Sequence, residues 1–342
     1  METCLICGEP SVSFLRPIPG YAGGHHNVYF CSACDSQQAP DESLPENLYN
    51  WMYRDAPVLG GYNRYFALAK GVLNAAHPLD YLAESEDMYW AVREFLRGSP
   101  AGARVLEIGS GLGYLTYALR QAGYDAWGLD LSQAAVEQAT QRFGPYYRTG
   151  DATAAPSPEE GTWDAIILTE VIEHLDDPSA FLTSLRVRLA PNSRLLVTTP
   201  NRNFRLPAFT ALEGPLPPVW DTELPPVHRT WISEQGALRL AERCGYSAEL
   251  MDFTHYPHNY LHHLLTAVKG SVPRTPAYAP DGTLLAPTPY KAWRGWVLKV
   301  GYLPGIAALA KFALRKWNTF TVFPGKSRPT LALVLKTKTE AR

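Results

Sequence analysis

No run of uncharged apolar residues in this sequence approaches the ~20 that a membrane-spanning helix needs. The longest candidate, residues 300–310, lies between Lys299 and Lys311 and is interrupted by Pro304. No basic segment followed by an apolar stretch opens the chain, so a cytoplasmic protein is expected. Cysteine is scarce, five in 342 residues, which excludes a disulfide scaffold. The chain has little net charge, only -2. That average hides a segregation. From Lys269 onward there are 13 Lys/Arg and 2 Asp/Glu, a net of +11, which leaves 18 Lys/Arg and 31 Asp/Glu, a net of -13, in the part before it. The 46% hydrophobic and 12% aromatic content is enough for a sizeable core and too much for a disordered chain.

Four of the five cysteines form two C-x2-C pairs, Cys4/Cys7 and Cys31/Cys34. Each such turn presents two thiolates to one ion, and two turns complete a tetrahedral structural zinc site with no open position. Gly8 suits a tight knuckle after the first pair. Residues 1–60 carry two basic side chains and seven acidic ones, so this module is not expected to grip a phosphate backbone. A folding staple or a docking module is expected instead. Cys244, on an expected helix, reads as a small core residue. Residues 39–100 read as loop followed by helices carrying Tyr49, Trp51, Tyr53, Tyr62, Tyr65, Tyr81, Tyr89 and Trp90. Most of these rings are expected to pack, and a few to wall a pocket over the next domain.

At Arg104 the texture changes to strand, glycine turn and helix. Val105 to Ile108 is a β-rich run followed by Gly109-Ser110-Gly111-Leu112-Gly113, after which Leu115, Ala118, Leu119 and Ala122 recur at helical spacing. Glycines there let backbone approach a ligand, and the helix N-terminus offers free N–H groups. A second strand, Ala126 to Asp130, follows that helix and ends in an acid, a place suited to ribose hydroxyls. Further strands are expected at 146–150, 163–168 and 194–199, with helices capped by Ser132 and started by Asp177-Pro178. This alternation predicts an α/β, doubly wound, mostly parallel sheet.

The run VLEIGSGLG at 105–113, GLD at 128–130, GDA at 150–152 and TEVIEHLDDP at 169–178 resembles the successive motifs of class I S-adenosylmethionine-dependent methyltransferases. The likeness covers about residues 104–256. It implies a Rossmann-like seven-stranded sheet, with a sixth strand near 245–253 and an antiparallel last strand at Thr330 to Lys336. It also implies S-adenosylmethionine as cofactor, held by Glu107, Gly109, Ser110, Gly111, Gly113, Asp130, Leu131, Asp151, Ala152, Thr169 and Glu170. A dinucleotide oxidoreductase would show G-x-G-x-x-G, whereas Gly109, Gly111 and Gly113 are spaced G-x-G-x-G.

The richest polar constellation is Glu170, Glu173 and His174 at the C-terminal edge of the fourth strand, where open α/β sheets bind ligands. A helical course from Glu170 would put all three on one face. With His228 they are similar to the array of metal-dependent O-methyltransferases, including small-RNA 2′-hydroxyl and ubiquinone-pathway enzymes. Three chemistries stand open: a divalent ion, Mg2+ or Mn2+, on Glu170, Glu173, His174 and His228; a general base at His174 or His228; or alignment of the acceptor alone. His25, His26, His255, His258, His262 and His263 have no assigned role.

The stretch from Phe253 to Thr330, between the sixth strand and the seventh, is too long for a plain connection. Within it the spacing from Pro304 to Trp317 predicts a basic amphipathic helix. Such an insertion would serve as a lid or substrate wall, as an anionic-membrane contact through 290–317, or as an interface, nucleic acid included. The organisation expected is a zinc-ribbon-like module at 1–38, a helical connector at 39–100, a methyltransferase core at 101–256, the insertion at 257–327 and the last strand with its tail at 328–342. The acceptor expected is a sugar, glycan or other small hydroxylated molecule, methylated on oxygen. RNA and sugar carbon stand as alternatives, and a non-enzymatic scaffold is disfavoured by the intact glycines and Asp130.

Overall fold

A computed structural model describes residues 3–20, 24–40, 48–55, 57, 59, 62–157, 160–203, 224–256, 278–279, 281–285 and 329–337. The expected amphipathic helix at 304–317 and the membrane contact at 290–317 lie outside these residues, as do His258, His262 and His263. No helix among the described residues is long and apolar enough to cross a membrane.

The chain opens with strands β1 (Val12–Pro19), β2 (His25–Cys31) and β3 (Gln37–Gln38). Four helices follow: α1 (Leu48–Asp55), α2 (Asn63–Gly71), α3 (Pro78–Ser85) and α4 (Asp87–Leu96). Strand and helix then alternate through β4 (Arg104–Ile108), α5 (Tyr114–Gln121), β5 (Asp125–Asp130), α6 (Gln133–Phe143), β6 (Tyr147–Thr149), β7 (Trp163–Thr169), α7 (Pro178–Ser184) and β8 (Leu189–Pro200). Last come β9 (Thr230–Trp231), α8 (Glu234–Arg243), β10 (Tyr246–Leu250) and β11 (Thr330–Thr337).

The larger sheet has the order β10-β11-β8-β7-β4-β5-β6. Strands β8, β7, β4, β5 and β6 pair in parallel, and β11 runs antiparallel between β8 and β10. This is the doubly wound sheet expected, with its antiparallel last strand. Its central strands are largely apolar because both faces are covered. Val105, Ala165 and Ile167 join one core with α3 to α6, while Leu106, Ile108, Ile166 and Leu168 join the other with α7 and α8. The helix starts follow local chemistry. Ser132 accepts the Ala135 N–H at 3.2 Å, and Asp177 accepts those of Ser179 and Ala180 at 3.0 and 2.9 Å.

The smaller sheet has the order β1-β2-β3-β9. Its fourth strand belongs to the segment after His228, so the sheet does not end at residue 38 where the module was expected to end. Cys4, Ile6, Cys31 and Cys34 share a core with Ile232, Leu240 and Ala241.

Candidate active site

Strand β4 ends on the glycine turn. Gly109, Gly111 and Gly113 hold φ of +76°, +48° and +80°, a region costly for any residue with a Cβ. A Cβ at Gly113 would lie 2.6 Å from Ala139 Cβ, and one at Gly109 would lie 2.5 Å from Val171 Cγ2. Beneath the turn, the Ser110 hydroxyl is buried without a partner among the described residues. Glu107 is buried too and accepts a hydrogen bond from the Thr116 hydroxyl, tying β4 to α5. Burial pushes its carboxyl up to about 8.

Asp130 is buried at the end of β5, and burial raises its carboxyl above the usual range. One oxygen accepts the Gly111 N–H at 2.7 Å and the other the Ser132 N–H at 2.8 Å. Each oxygen keeps a second lone pair for a ligand hydroxyl. Leu131 follows, 73% exposed, an apolar side chain open at the sheet edge. Asp151 is exposed and accepts the Thr153 N–H at 2.8 Å, while the carbonyl of buried Ala152 holds the Arg188 Nε at 3.0 Å. Thr169 ends β7 opposite Thr198.

Past Thr169 the expected helical face is not formed. Glu170 takes φ +56°, a left-handed break, and a single 3-10 turn covers Ile172–His174. The carboxylate of Glu170 is therefore outside the cluster that does assemble. Ligand atoms of Glu173, His174 and His228 lie within 4.8 Å of one another. The two imidazoles meet edge to face at 4.6 Å between centroids. His174 Nδ1 lies 2.6 Å from the Val227 carbonyl, so it donates there and Nε2 carries the lone pair. Thr199 donates to Glu173 Oε2 at 3.0 Å, leaving Oε1 buried without a hydrogen-bond partner among the described residues, as is His228 Nδ1. Burial pushes Glu173 up to about 8 and His174 down. Burial, then the adjacent His174, holds His228 well below the usual imidazole range.

Sequence reasoning noted Tyr49 and Tyr53 only as members of an aromatic run, and it missed Asn50. All three lie on α1, which leans over this edge. A Cβ at Gly111 would meet the Tyr53 hydroxyl at 3.0 Å, and Asn50 Oδ1 accepts from the Ser132 hydroxyl at 3.0 Å. The Tyr49 ring lies 6.2 Å from that of His174. Burial, then the charges of Glu173 and Asp130, raises its hydroxyl. Tyr49 thus stands between the two halves of the site. The spacing of Tyr49 and Tyr53, one helical turn apart, was the available signal.

Residues 84–267, more than half of the chain, match the family model of a methyltransferase domain. The chain belongs to the class I S-adenosylmethionine-dependent methyltransferases. Among the chain's curated relatives is the ubiquinone biosynthesis O-methyltransferase of Caulobacter sp. (strain K31), 30% identical over 135 residues, 38% of this chain and 52% of the relative. The protein of the same name from Xanthomonas oryzae pv. oryzae (strain PXO99A) is 29% identical over 147 residues, 41% and 55% of the two chains. The chain spans about half the length of the curated relatives it matches. Among solved structures, the TehB-like SAM-dependent methyltransferase from Corynebacterium glutamicum ATCC 13032 is 21% identical, with a TM-score of 0.35 over 54% of this chain and 86% of that one.

The cysteine pairs of the chain also converge. Sγ of Cys4 lies 3.8 Å from that of Cys34, Sγ of Cys7 lies 3.6 Å from that of Cys31, and all four fall within 4.8 Å of one another. A zinc ion with Zn–S bonds of about 2.3 Å spaces its sulfurs about 3.8 Å apart, so the four thiols fit a tetrahedral ion. Each knuckle closes on a left-handed residue, Gly8 at φ +80° and Asp35 at φ +56°, whose N–H bonds the first cysteine's carbonyl at 2.9 Å. The hydrogen bond with Cys4 pulls Cys34 down to about 5, and burial pushes Cys7 up to about 11.

Proposed function

We propose that this protein transfers a methyl group from S-adenosylmethionine to a hydroxyl oxygen of a small acceptor, a sugar or a comparably hydroxylated molecule. One observation carries the reading: the glycine turn with Asp130 and the Glu173–His174–His228 cluster meet at the same sheet edge, bridged by Tyr49. When bound, the sulfonium supplies a methyl carbon open to in-line displacement. Gly109 to Gly113 would lie along the methionine part, and Asp130 would accept the ribose hydroxyls. Leu131 would lie against the base, with Asp151 near its amino group. Glu107 holds the turn from below.

On the acceptor side, two neutral imidazoles and the Glu173 carboxyl, which would release its proton on binding, would form a donor set for a divalent ion such as Mg2+ or Mn2+. Such an ion would lower the pKa of an acceptor hydroxyl. His174 Nε2 or His228 Nδ1 would otherwise take the hydroxyl proton directly. Oxygen as the methylated atom is further supported by curated relatives named O-methyltransferases. An RNA acceptor is disfavoured by the net charge of -13 carried ahead of Lys269. Zinc in the four-cysteine module would be structural.

The test is calorimetric titration with S-adenosylmethionine, followed by labelled-methyl transfer to a cell extract separated into lipid, RNA and polar metabolites. Label in the polar fraction, stable to base as a methyl ether, is expected. Label confined to RNA, or no cofactor binding, would sink the reading.

A further inference from the structure

The four-cysteine site and the acceptor side of the cleft are far apart in sequence yet joined by a short chain of hydrogen bonds. Ser36, two positions after Cys34, accepts the Ser233 N–H at 3.1 Å through its hydroxyl and donates to the Ser233 hydroxyl at 3.3 Å. The Ser233 hydroxyl in turn donates to the carbonyl of Cys34 itself. Next to these anchors, Gln37 and Gln38 pair with Trp231 and Thr230 as β3 and β9. The side chain of Gln38 reaches the other knuckle, accepting the Leu5 N–H at 2.7 Å. Both knuckles therefore hold β3.

The strand they hold leads into the cluster. The Arg229 carbonyl accepts the Ala39 N–H at 2.8 Å, and the Arg229 N–H donates to the Glu173 carbonyl at 2.9 Å. One residue thus grips the module with its carbonyl and the catalytic turn with its amide, directly beside His228. A two-residue strand has no propensity to hold itself extended, and small sheets need neighbours for stability. Strand β9 and the turn that carries His228 are thus tied to the cysteine side by backbone bonds.

We infer that the zinc-type module is a positioning element of the methyl-acceptor site: filling the four cysteines fixes residues 224–233 and so sets His228 against Glu173 and His174. The naming of this side as the acceptor side rests on the proposed methyl transfer; the mechanical link does not. The cofactor half, from Gly109 to Asp130, is held by β4, β5 and α5 and has no hydrogen bond to either knuckle among the described residues.

The test compares purified zinc-filled protein with protein stripped by a chelator under reducing conditions. Hydrogen exchange is followed by mass spectrometry, and S-adenosylmethionine affinity by calorimetry. Stripping is expected to speed exchange in peptides covering 224–233 by about ten-fold or more, with peptides covering 105–130 unchanged and cofactor Kd within about two-fold. Ser36→Ala, which keeps all four cysteines and the Ser233 cap, is expected to retain its zinc and cofactor affinity yet show the same faster exchange at 224–233. Unchanged exchange there on stripping, or equal loosening of both halves with loss of cofactor binding, overturns the inference. A preparation that takes up no zinc overturns it as well. If exchange at 224–233 responds while neither form binds S-adenosylmethionine, the link stands and the methyltransferase reading falls.

Discussion

Asp130 does two things at once: its carboxylate ties down the Gly111 and Ser132 amides and keeps lone pairs for a ligand. Asp130→Ala is expected to weaken S-adenosylmethionine binding by about 100-fold, as befits charge-assisted bonds of ~1.5–3 kcal/mol, while zinc content by metal analysis stays unchanged. Glu173→Gln is expected to do the opposite, cutting methyl transfer by about 100-fold or more with cofactor affinity retained in the same titration. Glu107 gives a pH signature. Its folded pKa of about 8 stands above the 4.5 of a free glutamate side chain, so between these values the native state binds the proton the unfolded chain has lost, and stability falls as pH rises. Denaturant titrations of Glu107→Gln and the parent are expected to diverge in favour of the variant from about pH 5 to about pH 8, with no further divergence above. The cysteine pairs, the glycine turn and Asp130 were legible because their chemistry is local in sequence. Glu170 was not, since a single left-handed residue undid the helical face on which its grouping with Glu173 and His174 depended.

At the scale of elements, the strand-to-helix turn is the most constrained piece. Gly113→Ala adds a methyl 2.6 Å from Ala139 Cβ and 2.7 Å from the Tyr147 ring, at φ +80°. It is expected to cost about 2–4 kcal/mol, read as a lowered midpoint in thermal unfolding. The alternation of strands and helices from 104 to 250 could be read from apolar periodicity because most of these elements are long enough to show their repeat. The two-residue strands β3 and β9 could not. Nothing in Gln37-Gln38 or Thr230-Trp231 carries a period, and their pairing spans almost the whole core. Helix α1 was legible as aromatic but not as the roof of the site, because its neighbours Ser132 and His174 lie far along the chain, beyond four and five intervening helices respectively.

The described residues form two sheets, with the cysteine module packed into the same apolar core as α8 and β10. Two features of the sequence, a four-cysteine motif and a methyltransferase-family core, were visible separately. Their fusion was not, because much of it is made by backbone bonds that have no residue preference. Removing an ion held by the four cysteines should therefore be felt outside the module. A chelator is expected to lower the unfolding midpoint by several degrees, consistent with a structural metal that contributes folding free energy, and adding zinc back should restore it in a calorimetric scan.

Strand β11 adds a constraint on synthesis. It pairs with β8 on one side and β10 on the other, yet the whole stretch from Leu250 to Thr330 must be made before it begins. At ~5–20 residues per second, the ribosome leaves two bare strand edges facing each other for several seconds before the missing strand arrives. For that interval the nascent chain is a template for pairing with its neighbours on a polysome, and a chaperone that shields sheet edges during translation should raise the yield of properly closed protein more than one acting after release.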